Sequence, residues 1–379
     1  METNLEHYLD NSATTRVSET VAAEVVRVMT ETYGNPSSLH SLGIRAEEVL
    51  ESSRRIVSKA LGAEPDELYF TSGGTEANNL AILGAVEWLK RRGNKIVTTA
   101  VEHSSVDETM RYLESKGFEV VYIKPDKNGH ITAEQFAEVI DSRTVLVSAM
   151  LVNNEVGAVY PIEKLRKIID RAQSPAVLHC DCVQAFCKIP IKVKKMQIDI
   201  ATVSGHKIHA PKGVGAIYIR KGLHIKPIHF GGEQEKKLRP GTEPLPLIAG
   251  FAQAVREADI GKNYACVKDL NAYAREVLVP LGVTFNSPDD ALPYILNLSV
   301  LGIRSETMLH FLAQREVYVS SGSACAKGKP SHVLSAMGLS KDQADSAIRV
   351  SFSSDNTKAD IDALRAAIEE GQNTLVKRK

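Results

Sequence analysis

Apolar positions recur along the chain with two periods, and stretches of the two kinds alternate. Val21, Val25, Val28 and Met29 repeat at helical spacing after Ser18, whose hydroxyl suits an N-cap, so a helix is predicted over 19–32, ended by Gly34-Asn35-Pro36. A second helix is predicted over 44–61, rich in Glu, Arg and Ala, with Gly62 placed to stop it. Leu68-Tyr69-Phe70-Thr71 then reads as a strand, Ser72-Gly73-Gly74-Thr75 as a tight turn, and 76–91 as a helix apolar on one side. Short apolar runs follow at 95–99, 120–123, 145–149, 176–180 and 200–204, separated by helical stretches such as 133–140 and 162–172. Buried strands that alternate with helices build a largely parallel sheet covered by those helices, an α/β class of fold.

The pattern changes after Val255. A helix is followed by a short extended segment around Val283-Thr284-Phe285 and a loop holding Pro288-Asp289-Asp290. Strands near 295–300 and 348–352, with helices near 307–314 and 358–370, fit a smaller α+β unit. A chain of 379 residues is long enough for two cores, so a domain boundary is expected near Val255.

Charge and composition narrow the function classes. The 46 basic residues equal the 46 acidic ones without long blocks of either sign, which argues against a nucleic-acid surface. No apolar run approaches the roughly 18 residues of a membrane span, so no membrane association is expected. The opening Met-Glu-Thr-Asn-Leu-Glu has neither a basic leader nor an apolar core, and a soluble, cytoplasmic protein is expected. Three of the five cysteines crowd into His179-Cys180-Asp181-Cys182-Val183-Gln184-Ala185-Phe186-Cys187, which is no disulfide framework, so reduced thiols are expected.

The glycine turn at 72–75 opens a helix, where free N–H groups and the Thr75 hydroxyl suit a phosphate. Alone, such a turn is more often a connector. Asp181 ends the run 176–180, and Lys207 follows 26 residues later in Val203-Ser204-Gly205-His206-Lys207. Ligands of open α/β sheets sit beyond such strand ends. A carboxylate and a lysine so placed match pyridoxal 5'-phosphate (PLP): the carboxylate keeps the pyridine nitrogen protonated and the amine condenses with the aldehyde. Taken singly, Asp181 is an N-cap and Lys207 a surface charge. Ser204 and His206 add phosphate or ring contacts. His103, at a third strand end, is either a satisfied loop residue or a group that stacks on the ring and moves protons.

The Cys180, Cys182 and Cys187 group with His179, His206 and His209 fits no paired zinc spacing and reads as core, so no metal is expected. Cys325 lies in Val319-Ser320-Ser321-Gly322-Ser323-Ala324-Cys325-Ala326-Lys327-Gly328-Lys329-Pro330, a predicted loop. Lys327 and Lys329 there favour a thiolate, a candidate nucleophile.

Along nearly its whole length the chain resembles the cysteine desulfurases of the NifS/IscS type, within the class V aminotransferases and the fold-type I PLP enzymes. The likeness rests on Tyr8-Leu9-Asp10-Asn11-Ser12-Ala13-Thr14-Thr15, Gly34-Asn35-Pro36-Ser37-Ser38, 71–78, Glu102-His103, Asn153-Asn154-Glu155-Val156-Gly157, Ser204-Gly205-His206-Lys207, Arg239-Pro240-Gly241-Thr242 and 321–325. It implies a fold-type I PLP-dependent transferase: a large domain (16–255) with a mostly parallel seven-stranded sheet flanked by helices, and a smaller α+β domain (1–15 and 256–379) carrying the catalytic-cysteine loop. It also implies a homodimer.

Carried over position by position, Lys207 resembles the Schiff-base lysine, Asp181 the pyridinium partner, Gln184 the ligand of the ring hydroxyl and His103 the stacking residue. Gly74, Thr75, Ser204 and His206 resemble the phosphate cup, with Thr242 supplied by the partner subunit. Asn154 and Arg349 resemble the groups that hold the substrate carboxylate. The implied reaction converts L-cysteine to L-alanine and leaves a persulfide on Cys325 for a sulfur-acceptor protein of iron–sulfur cluster assembly or of tRNA or cofactor thiolation. A selenocysteine lyase or another PLP lyase of the same fold, and a non-catalytic metal or sulfur-carrier module, are the alternatives. Cys182, Cys187, His209 and Glu233 depart from the family's pattern.

Overall fold

The computed structural model describes residues 6–321 and 331–376; Cys325, Lys327 and Lys329 lie outside the described residues. A short strand, β1 (His7–Tyr8), precedes two helices, α1 (Glu19–Glu31) and α2 (Ser41–Leu61). Ser18 caps α1 by accepting from Val21 N, and α2 ends at Gly62 with φ 69°, a conformation that suits glycine. The helix α2 begins three residues earlier than its apolar pattern, because His40 caps it through Gly43 N.

The main sheet contains β2 (Leu68–Thr71), β3 (Lys95–Thr99), β4 (Glu119–Ile123), β5 (Thr144–Met150), β6 (Val177–Asp181), β7 (Ile200–Ser204) and β8 (Gly215–Ile219). Its order is β2-β8-β7-β6-β5-β3-β4. Strands β3 to β7 pair in parallel, whereas β8 is antiparallel to both β2 and β7.

The strand period of two divides the core. Ile96, Leu146, Val177, Ile200 and Ile217 face α3 (Gly74–Leu89) and α4 (Ser104–Ser115) on one side of the sheet. Their neighbours Val97, Val147, Leu178, Ala201 and Tyr218 join the larger core on the other side, with α1, α2, α5 (Ala133–Val139), α6 (Ile162–Arg171) and α7 (Leu245–Glu257). Both faces are therefore covered, which explains strands buried at every residue.

Helix α7 packs on α1 and α2 and runs across the expected boundary at Val255. Beyond it, α8 (Ile260–Leu278) and the closing helix Lys358–Thr374 pack together. A second sheet has the order β12-β10-β9, with β9 (Thr284–Phe285), β10 (Ile295–Ser299) and β12 (Ala347–Ser351) antiparallel. The strand β11 (Val317–Tyr318) pairs in parallel with β1. Residues 7–10 thus lie against the last third of the chain, as Asp10 bridging Ser351 also shows. Among the described residues no helix is long and apolar enough to cross a membrane.

Candidate active site

The C-terminal ends of β3, β5, β6 and β7 open onto a cavity of about 200 Å³. Its walls bring together Gly74, Thr75, His103, Asn154, Asp181, Gln184, Ser204, His206, Lys207 and Arg349, residues drawn from distant parts of the sequence. Thr242 is exposed and lies outside this wall within the single chain.

Asp181 is the last residue of β6 and 5% exposed. Its Oδ2 accepts from Asn78 Nδ2 at 2.8 Å and its Oδ1 from Val183 N at 2.9 Å, which fixes the carboxylate in its plane. Asn78 is itself held, accepting from Thr202 Oγ1 at 2.5 Å and donating to Ser105 Oγ at 2.9 Å. Asp181 is therefore no N-cap of a surface helix but a carboxylate locked at a strand end.

Lys207 sits in the short turn Gly205–Lys207 after β7, and its Nζ donates to the carbonyls of Ser12 at 2.6 Å and Ala13 at 2.8 Å. The surface-charge reading of Lys207 fails on these contacts. Gln184 Nε2 donates to the same Ser12 carbonyl at 3.0 Å, and Gln184 Oε1 accepts from Lys188 Nζ at 3.2 Å.

At the start of α3, Gly73 adopts φ 152°, and a Cβ on Gly74 would stand 3.0 Å from Val183 Cγ2 and 3.7 Å from Ser204 Cβ. Only glycines let the turn lie this close to β7. The first N–H groups of α3 have no intrahelical acceptor, and beside them the buried Ser204 Oγ has no hydrogen-bond partner among the described residues. An orphaned hydroxyl facing a helix start is the donor set an anion such as phosphate satisfies.

His103 caps α4, with Nδ1 accepting from Ser105 N at 3.2 Å. Nδ1 is thus the acceptor and the neutral ring carries its proton on Nε2. Burial, only partly opposed by Asp181, lowers the His103 pKa and keeps the ring neutral. His206 is pulled down to about 4 by burial and then by Lys207, and its Nδ1 lies 3.2 Å from Thr14 Oγ1.

Arg349, 2% exposed, donates through Nη2 to Asp10 Oδ1 at 2.9 Å and through Nη1 to the Asn154 carbonyl at 2.9 Å. Its Nε and the Asn154 Oδ1 are buried without a partner among the described residues. This leaves the Arg349 Nε–H as a donor for a carboxylate in the cavity, with the Asn154 side chain in the same wall.

The cysteine cluster belongs to the core. Cys180 and Cys182 are fully buried with sulfurs 3.5 Å apart, and burial raises Cys187 to about 12. Burial also pulls His179 down to about 3. Among the described residues no group of three or more His, Cys, Asp or Glu is placed to hold a metal ion.

Sequence reasoning met Asp10 and Asn78 within motifs but gave them no role, and it did not single out Lys188. Asn78 lies one helical turn beyond Gly74 on α3, so the i, i+4 relation was the available signal. The partners of Asp10 and Lys188 come from tertiary contacts.

A family model described as aminotransferase class-V matches residues 7–364. The chain belongs to the aminotransferase class-V family. Within it, this class-V chain is 38% identical over 369 residues to the "Cysteine desulfurase IscS" of Methanosarcina thermophila, covering 96% of this chain and 91% of the relative. Among solved structures it is similar to a "NIFS-LIKE PROTEIN", with a TM-score of 0.93, 38% identity and coverage of 98% and 100% of the two chains. It is also similar to "SspA in complex with cysteine", with a TM-score of 0.83, 34% identity and coverage of 92% and 99%.

Proposed function

We propose that this class-V chain is a PLP-dependent cysteine desulfurase that converts L-cysteine to L-alanine and takes the sulfur onto Cys325. The observation that carries the reading is one cavity with three complementary groups: the glycine turn with the orphaned Ser204 Oγ, the locked Asp181 carboxylate, and the Lys207 amine. Relatives named cysteine desulfurase and the similar structure of SspA with cysteine support the same substrate.

On this reading Gly74, Thr75, Ser204 and His206 hold the phosphate, helped by Thr242 from a second copy of the chain in a homodimer. Asp181 pairs with the pyridine nitrogen, Gln184 donates to the ring hydroxyl and neutral His103 lies against the ring. When bound, PLP supplies an aldehyde for the amine and a ring that accepts the electron pair released at the substrate's Cα. With PLP bound, the Lys207 amine, once released by the substrate amine, would be placed to take the α-proton. Arg349 Nε and Asn154 hold the substrate carboxylate. The Cys325 thiolate would attack the substrate sulfur; an S–S bond forms as the C–S bond breaks, the β-carbon takes a proton, and the α-carbon regains the proton held by Lys207 to leave alanine. The persulfide then passes its outer sulfur to an acceptor protein, for iron–sulfur cluster assembly or thiolation of tRNA or a cofactor, in the cytoplasm.

The test is borohydride reduction of purified protein followed by peptide mapping, with alanine release from L-cysteine and L-selenocysteine assayed in parallel. A reduced adduct on Lys207 and cysteine-dependent alanine are expected. A colourless protein without an adduct contradicts the cofactor reading, and turnover of selenocysteine alone contradicts the substrate.

A further inference from the structure

We propose that Lys188 is a positioning residue that fixes the amide of Gln184, and through it tunes Lys207; this rests on the cofactor reading above. Lys188 is 6% exposed and has no ion-pair partner among the described residues. Its Nζ donates to Gln184 Oε1 and stands 5.5 Å from the centre of the Tyr294 ring. Burial, then repulsion from Lys207 and Arg349, pulls Lys188 down to about 7. A methionine of similar size would fill the same space without burying an ammonium, so packing does not account for a lysine here.

Donor and acceptor chemistry does account for it. An ammonium offers donors and no acceptor, and even a free amine keeps two N–H groups, so Gln184 turns its oxygen toward Lys188. Its Nε2 must then face the other way, where it meets the Ser12 carbonyl at 3.0 Å. Lys207 Nζ shares that carbonyl at 2.6 Å. A path of donors therefore runs from Lys188 through Gln184 to the acceptor on which Lys207 rests. Without Lys188 the Ser12 carbonyl is the remaining contact that orients the amide among the described residues, and the N–H group is held less firmly toward the ring hydroxyl. Donation to that oxygen and the nearby positive charge both favour the unprotonated form of the Lys207–cofactor linkage.

The experiment is a pH titration of the visible absorption of the holoenzyme, which reads the protonation of that linkage rather than turnover. Besides Lys188, charges among the described residues that interact with Lys207 include Asp10, His103 and His206, which stay unchanged across the variants. Lys188→Met is expected to raise the midpoint by roughly one pH unit, a tenfold change in the equilibrium. Lys188→Arg, which keeps the donor, is expected to stay near wild type. Gln184→Met is expected to raise the midpoint in wild type and to add little in the Lys188→Met background. Gln184→Glu removes the N–H donor while giving Lys188 a carboxylate, and provides an independent arm with the same upward shift. An unchanged midpoint in Lys188→Met or in Gln184→Glu overturns the inference, as does a Gln184→Met shift of equal size in both backgrounds. A wild-type protein with no visible band overturns the cofactor reading and this inference together, whereas an unchanged midpoint in a coloured protein overturns this inference alone.

Discussion

Glu102 stands next to His103 with its Oε1 accepting from Thr99 Oγ1 at 2.6 Å and Met150 N at 2.9 Å, while its buried Oε2 has no partner among the described residues. Burial raises its pKa to about 8. Between the ordinary carboxylate range and that value the folded state holds a proton that the unfolded chain has lost, so stability falls as pH rises through this window. Glu102→Gln mimics the protonated form and is expected to flatten the decline. Thermal unfolding midpoints at pH 6 and pH 9 check this, and an equal slope in both proteins contradicts it. Asn78 donates to the Asp181 carboxylate in the cavity wall. Asn78→Ala is expected to cost about 1–1.5 kcal/mol of the Asp181 arrangement, close to tenfold in cysteine turnover, measured as kcat/KM.

At the scale of elements, Gly215 opens β8 opposite Thr71 on one side and Ser204 on the other. A Cβ there would stand 2.6 Å from the Val203 carbonyl and 2.8 Å from Gly73 Cα, so Gly215→Ala is expected to push the glycine turn and lower cofactor occupancy. Absorbance per protomer measures it, and full occupancy contradicts it. The segment Gln234–Lys237 holds Glu235, Lys236 and Lys237 at φ 44°, 54° and 66°. Arg54 pins it with two 2.8 Å bonds to Glu235, which also accepts from Phe70 N at 2.8 Å. Glu235→Ala leaves the buried Arg54 with the more exposed Glu51 and the Leu68 carbonyl as partners, with an expected loss of about 3 kcal/mol in denaturant unfolding. The parallel strands were legible because apolar runs buried on both faces alternate with helices. The strand β8 was not singled out, because its first residues are small and it enters against the direction of β7. The helix α7 also escaped notice: Pro246 reads as a break, yet it lies in the first helical turn where its missing N–H costs nothing. Asp181 and Lys207 were legible from the strand-end rule. The partners that hold them were not, since Asn78 meets Asp181 and Ser12 meets Lys207 only through tertiary folding.

At the scale of the molecule, residues 10–15 join the site to both sheets. Asp10 pairs with Arg349, Asn11 Nδ2 donates to the Ser351 carbonyl at 2.9 Å, and Thr15 N donates to the His206 carbonyl at 2.9 Å. The amine at the main sheet and the guanidinium at the small sheet are thereby held at one spacing. We propose that this arrangement moves sulfur from L-cysteine to the chain's own Cys325. Mass spectrometry of peptides after brief incubation of the holoenzyme with L-cysteine follows that transfer. One additional sulfur on the Cys325 peptide, with alanine in solution and neither formed by Lys207→Ala, is the expected result. Alanine accompanied by sulfur on Cys182 or Cys187 and none on Cys325 contradicts the claim.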